Sequence, residues 1–162
     1  MTKHIDPAKY RGVISLGTYI GNHPWLYYLL MCTWGLPFTL LGLLMSLVYL
    51  LTFHKPHKYK NSYYFVSHFK GGWGFELGNC FVVSKDIHAK YIHSEWNMLY
   101  SHEYGHTVEN CIYGPAMLLL ALTSTIRYWY RELRYFRRGL EPKTWYDDYW
   151  YEFVATNIGA KL

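Results

Sequence analysis

A chain of 162 residues has the length of one domain. It is 51% hydrophobic, 20% aromatic and only 17% charged, which excludes a disordered polypeptide. Three cysteines without a CxxC or CxxH spacing exclude a disulfide framework and a thiolate zinc site, and a net charge of +5 is too small to name a partner until its placement is known.

Residues 1–24 are polar, with Lys3, Lys9 and Arg11 against Asp6. No compact apolar run ends there in a small-residue cleavage site, so the segment is expected to be retained and not removed as a signal peptide. Residues 25–53 carry no charged side chain. That is longer than the ~20 residues that cross a bilayer as a helix, so a transmembrane segment is expected. Gly35-Leu36-Pro37 interrupts it and allows a helical hairpin. Trp25, Tyr27, Tyr28 and Tyr49 suit the membrane interface, and Lys55, Lys58 and Lys60 follow at once.

Tyr63-Tyr64-Phe65-Val66 is β-prone, Gly71-Gly72 signals a turn, and Phe75 to Val83 reads as a second strand, so a β-hairpin or small sheet is expected. Trp96 to Asn110 reads as a helix. Ile112 to Ile126 is uncharged but short for a span and suits a core helix or a re-entrant segment. Arg127, Arg131, Arg134, Arg137 and Arg138 then interleave with Tyr128, Trp129, Tyr130, Tyr135 and Phe136 against one acid, Glu132. Such a cluster could meet nucleic acid, but the apolar run before it favours a helix at headgroup level beside a membrane. Asp147 to Ile158 reads as a short helix stopped by Gly159.

The chemistry lies in His102-Glu103-Tyr104-Gly105-His106. Two histidines four apart share a helix face, so both imidazoles can bind one Zn²⁺. Glu103 sits beside that face and can act as general base and acid. A catalytic zinc needs a third protein ligand and an open position. The candidates are Glu109, Asp147, Asp148, Glu152 and His93. Glu109 is on the same helix as the histidines and cannot easily close a tetrahedral site, whereas Glu152 on a separate helix can approach from the other side. Glu152 is therefore favoured, then Asp148. The metal set is His102, His106 and Glu152, with Glu103 catalytic.

An HExxH with a distal Glu resembles the gluzincin branch of zinc metallopeptidases. More narrowly, the chain resembles a family of small bacterial membrane proteins with a His-Glu-Tyr-Gly-His core. Four blocks carry the likeness: Trp34-Gly35-Leu36-Pro37 with Leu40, Leu41 and Gly42; Leu77-Gly78 before Phe81-Val82-Val83; His102 to Thr107 with Gly114-Pro115; and Glu152 with Ala155 and Gly159. The chain departs from the family pattern at Glu109, where the family carries Gln, and at Ala121-Leu122-Thr123-Ser124, where it carries a Gly-x-Pro-Ser turn. The resemblance implies an integral protein of the bacterial inner membrane with a zinc peptidase-like site.

The expected fold is α+β, mainly α. A transmembrane helix or hairpin over 25–53 is followed by a zincin-like catalytic region over 54–162, built from a small β-hairpin and the active-site helix. If Glu152 joins the metal, residues 112–126 cannot simply cross a core about 30 Å thick, because a return through the arginines is expensive. They are expected to pack on the site or dip without crossing. The expected function is a membrane-associated zinc metalloprotease, its partners the lipid bilayer and a peptide or protein substrate, with no nucleic acid. The strand Phe81–Val83 would pair with the extended substrate. A zinc hydrolase of a non-peptide, lipid-linked amide or ester shares the metal chemistry, and a non-enzymatic membrane adaptor or immunity-type protein would use the metal structurally or lack it.

Overall fold

The computed structural model describes residues 5–71, 73–91, 98–139 and 149–162. In chain order these form α1 (Pro7–Gly21), α2 (Pro24–Cys32), α3 (Leu36–Leu51), β1 (His57–Tyr59), β2 (Ser62–Ser67), β3 (Gly74–Leu77), β4 (Cys80–Ser84), α4 (Lys85–Tyr91), α5 (Met98–Tyr113), a 3₁₀ turn (Gly114–Ala116), α6 (Met117–Arg137) and α7 (Trp150–Lys161). The fold is mainly helical α+β with a small sheet, as the sequence suggests.

The polar N-terminal segment is more ordered than its composition indicates. Asp6 caps α1 by accepting the Ala8 amide at 3.0 Å, and Pro7 starts the helix with its φ already set. Ile14, Gly17 and Ile20 recur every three residues and turn one face of α1 into the core beside Tyr27, Tyr104, Val108 and Ile158.

The uncharged stretch is two helices and not one. Cys32 ends α2, Leu36 begins α3, and the two are bent by 93°. Pro37 lies in the first turn of α3, where its missing amide costs nothing. The break is held by α5: the Asn110 side chain donates to the Gly35 carbonyl at 3.3 Å and to Thr39 Oγ1 at 3.1 Å. Among the described residues no single helix is long and apolar enough to cross a membrane, although α2 and α3 together pass on length and composition.

Of the hairpin or small sheet expected, the chain forms the sheet, four strands in a mixed arrangement in the order β1-β2-β4-β3. Strands β1 and β2 are antiparallel, β2 and β4 parallel with Phe65 opposite Val82, and β3 returns antiparallel to β4 with Phe75 opposite Val82. The span read as a single strand, Phe75 to Val83, is thus two strands folded at Gly78, whose φ of +64° only glycine adopts easily. Strand β4 is wholly buried, with Phe81, Val82 and Val83 at the centre. It is paired on both sides, so it cannot offer an edge to a substrate. Strands β1 and β3 are the outer strands.

Helix α5 runs through the middle of the molecule and is buried from Glu103 to Cys111. A helix buried all round is normally apolar, yet this one buries Glu103, His106, Thr107, Glu109 and Asn110. Buried polar groups are expensive unless they are paired, which directs attention to their partners. Helix α7 crosses α5 closely because Gly105 faces the Ala155 backbone and Gly159 faces the Ser101 backbone. Gly159 does not stop α7, which continues to Lys161. Its missing side chain is spent on helix packing.

The uncharged residues after α5 and the arginine cluster form one helix, α6. Met117 and Ser124 are buried, while Leu119, Leu122, Ile126, Trp129, Leu133 and Phe136 are exposed. Their alternating spacing of three and four makes a single apolar stripe.

Candidate metal centre

Three ligand atoms converge between α5 and α7. His106 Nε2 lies 3.2 Å from His102 Nε2 and 3.0 Å from Glu152 Oε2, and His102 Nε2 lies 3.2 Å from the same carboxylate oxygen. The helix periodicity stacks the two imidazoles one turn apart, and the glycine-mediated crossing brings Glu152, in the first turn of α7, onto them. Ions held by bonds of 2.0–2.1 Å in a tetrahedron have ligand atoms about 3.3 Å apart, so the triangle has the size such an ion requires. His102, His106 and Glu152 form a group that could hold a metal ion. It is enclosed but reachable, since 12% of the His102 side chain is exposed against 3% for Glu152.

The atoms behind the ligands fit the same purpose. His106 Nδ1 donates to Glu109 Oε2 at 2.8 Å, and His102 Nδ1 is hydrogen-bonded to Thr156 Oγ1 at 2.8 Å. The carboxylate leaves the Nε2 lone pair of a neutral His106 facing inward, and both bonds hold the ring planes with Nε2 toward the triangle, the arrangement that metal-binding histidines use. Ser124 Oγ on α6 donates to Glu152 Oε1, so the other carboxylate oxygen stays with the histidines. The Tyr151 ring stacks on His106 with centroids 4.6 Å apart.

The carboxylates around the triangle favour positive charge within it. Burial alone would lower the His106 pKa, but the Glu152 and Glu109 carboxylates outweigh it and hold the imidazole well above its ordinary value. Burial would raise Glu152, yet His106 and His102 win and keep it well below the usual carboxylate range. Glu109 is pushed up to about 7 by burial, with His106 opposing. Glu103 is raised by burial, partly offset by His102 and His106.

Glu103 lines a cleft together with His102, His106, Glu152, and Gly74 and Glu76 of β3. A methyl carbon at Gly74 would fall 2.7 Å from Glu103 Oε1, so the glycine is what lets the outer strand lie against this carboxylate.

All four expected site residues therefore meet at one place. Glu109 is a support behind His106. His93, Asp147 and Asp148 lie outside the described residues. Sequence reasoning missed Thr156, Ser124, Tyr151 and Glu76. Thr156 was discoverable, because it stands one turn beyond Glu152 on the same expected helix. Ser124, Tyr151 and Glu76 reach the site through tertiary packing and leave no local signal.

No protein-family model, no curated protein and no solved structure matches the chain.

Proposed function

We propose that the protein is a membrane-associated zinc metalloprotease that hydrolyses a peptide bond. The observation that carries this reading is the triangle of His102, His106 and Glu152, with each imidazole oriented from behind by an oxygen and with Glu103 in the adjoining cleft. Two imidazoles and one carboxylate, with no cysteine, match an open zinc site better than a closed structural one. When bound, zinc would supply Lewis acidity, polarising a carbonyl and lowering the pKa of water to about 7.

The chain's own residues would do the rest. Glu103 accepts the proton of the attacking water and passes it to the leaving amine. Glu109 and Thr156 hold the imidazoles, and Ser124 holds Glu152. Strand β3 faces the cleft through Gly74 and Glu76 and is an outer strand, so an extended peptide can lie along it. This edge favours a peptide over a compact non-peptide ester.

The apolar surface supports the membrane part. Leu40, Leu43, Leu44, Leu47, Val48 and Leu51 of α3 are exposed, as is the stripe on α6 with its arginines alongside. Patches of this kind mark membrane or protein contacts, and arginines beside them suit anionic headgroups.

Glu103→Gln tests the catalytic reading. The variant should keep its zinc and lose about 10²–10⁴-fold in peptide hydrolysis. Unchanged turnover would remove Glu103 from the mechanism. Absence of turnover in the zinc-loaded parent, across a mixed-sequence peptide library in detergent or vesicles, would contradict the protease assignment.

A further inference from the structure

Helix α6 forms one wall of the metal cleft through Ala121, Ser124 and Thr125. Its exposed side carries Leu119, Leu122, Ile126, Trp129, Leu133 and Phe136, a stripe about 26 Å long at the helical rise of about 1.5 Å per residue. Two rows flank that stripe. Arg134 and Arg137 each follow a stripe residue, about 100° round the helix in one sense, and both are exposed. Ala121 and Thr125 each precede one, about 100° round in the other sense, and both line the cleft. The apolar stripe therefore lies between a cationic flank and the wall of the metal site. The one acid on α6, Glu132, is half-buried.

A helix with leucine, tryptophan and phenylalanine on one side and arginines beside them is built to lie in the plane of a membrane surface. Its apolar side sinks about 5–10 Å into the boundary between headgroups and acyl chains. Arginines at that level meet the headgroups and favour anionic ones. An arginine flank with no exposed acid on the helix suits a lipid surface that is negative throughout better than a protein groove. We propose that α6 lies flat on an anionic lipid surface, and that the metal cleft cuts the stretch of a membrane-anchored peptide just outside that surface. On a helix about 11 Å across, 100° of arc is about 10 Å. The cleft wall thus stands about 10 Å from the midline of the stripe, the reach of about three extended residues. The substrate class rests on the zinc-protease reading, whereas docking of α6 does not.

The test uses the full chain with vesicles of phosphatidylcholine, alone or mixed with phosphatidylglycerol, that contain brominated lipids. Trp129 is 66% exposed on the stripe, so the quenching that disappears in Trp129→Phe reports its contact with lipid. Bromines near the headgroups should quench Trp129 more than bromines at the chain ends. Anionic vesicles should reach half-quenching at about tenfold less lipid than neutral ones. A basic residue near an anionic surface contributes about fivefold, so Arg134→Ala with Arg137→Ala should raise that midpoint roughly 25-fold. Lys9→Ala with Lys85→Ala, the same charge loss on α1 and α4, should change it less than about threefold. All five substituted side chains are exposed, so the fold should stay intact, which circular dichroism checks. No quenching of Trp129 would overturn the docking of α6. Equal midpoints with neutral and anionic vesicles, or equal effects of the two double variants, would overturn the choice of anionic lipid. Strongest quenching by the deepest bromines would make α6 a span and overturn its flat placement. For the substrate, the zinc-loaded chain in the same vesicles is given a mixed-sequence peptide library on a dipalmitoyl anchor, beside the unanchored library. Cuts should cluster within about five residues of the anchor, and the unanchored library should be cut about tenfold more slowly. Cuts spread evenly along the peptides, or equal rates with and without the anchor, would overturn the substrate class and leave the protease standing. Docking of Trp129 without a cut in either library would instead defeat the protease reading and spare the docking.

Discussion

The crossing of α5 and α7 sets the size of the metal triangle, so a single methyl group there should dismantle it. In Gly105→Ala the added carbon would lie 2.7 Å from the Ala155 carbonyl carbon and nearer still to its oxygen, against an ordinary contact beginning at 3.4 Å. Both atoms are backbone, so no side chain can swing away. Clearing the carbonyl carbon alone to that 3.4 Å limit takes about 0.7 Å, and clearing the oxygen takes more than about 1 Å. Ala155 is three residues from Glu152 on the same helix, so the carboxylate moves with it. Its distances of 3.0 and 3.2 Å to the two imidazole nitrogens then approach about 4 Å. An ion with bonds of about 2.05 Å spans 4.1 Å only in a straight line, so Glu152 leaves the coordination sphere. Loss of a ligand should cost more zinc affinity than loss of an outer-shell partner, hence at least ~100-fold. Competition with a chromophoric chelator measures this, with circular dichroism checking the fold, since overpacking costs about 1–3 kcal/mol. Gly12→Ala is the control: nothing lies within 4 Å of its added carbon, and zinc affinity should not change. Wild-type zinc affinity in a folded Gly105→Ala variant would refute the claim that the helix crossing sizes the site.

Three further outcomes follow from the same geometry. Glu109→Ala removes the acceptor behind His106 and should weaken zinc about 10–100-fold, while Thr156→Val should do the same through His102; an unchanged affinity in either would show that the outer oxygen is not needed. Because His106 is held well above its ordinary pKa and Glu109 sits at about 7, zinc must displace at least one proton at neutral pH. Its apparent affinity should therefore fall about tenfold per pH unit for each proton displaced as pH drops from 7 to 6, and calorimetry in buffers of different ionisation enthalpy should detect the release; affinity independent of pH would contradict the ion pair. In the metal-free protein the raised His106 pKa adds stability at low pH that is lost as pH climbs through the folded value, whereas the depressed Glu152 pKa adds stability that disappears only in strong acid. Urea unfolding should therefore show the metal-free chain weakening, and its gain from zinc growing, as pH rises above neutrality; a constant zinc increment would speak against it.

The site was legible where one helix encodes it. The spacing of His102 and His106 needs only the 3.6-residue turn, and Glu152 emerged because Glu109 on the same helix could not wrap the ion. The fold was less legible where tertiary contacts decide. The burial of α1 rests on Ile14, Gly17 and Ile20 meeting α5 and α7, and nothing in a polar segment announces that. The parallel pairing of β2 with β4 depends on β3 turning at Gly78 against Phe38 and Thr39 of α3, a contact between residues far apart in sequence. Gly159 has the composition of a helix stop and the function of a packing contact, and only the neighbour, Ser101, tells the two apart. Ser124 closes a stretch that departs from the resembled turn at Ala121 and Thr123 but keeps its serine, and that serine is the donor to Glu152.

The most direct measurement is the metal content and absorption-edge spectrum of the purified full chain beside Glu152→Ala. One zinc per chain, ringed by two imidazole nitrogens and one carboxylate oxygen, with most of it lost from the variant, is the expected result. No bound zinc in the parent, or the same zinc in both proteins, would contradict the metal centre.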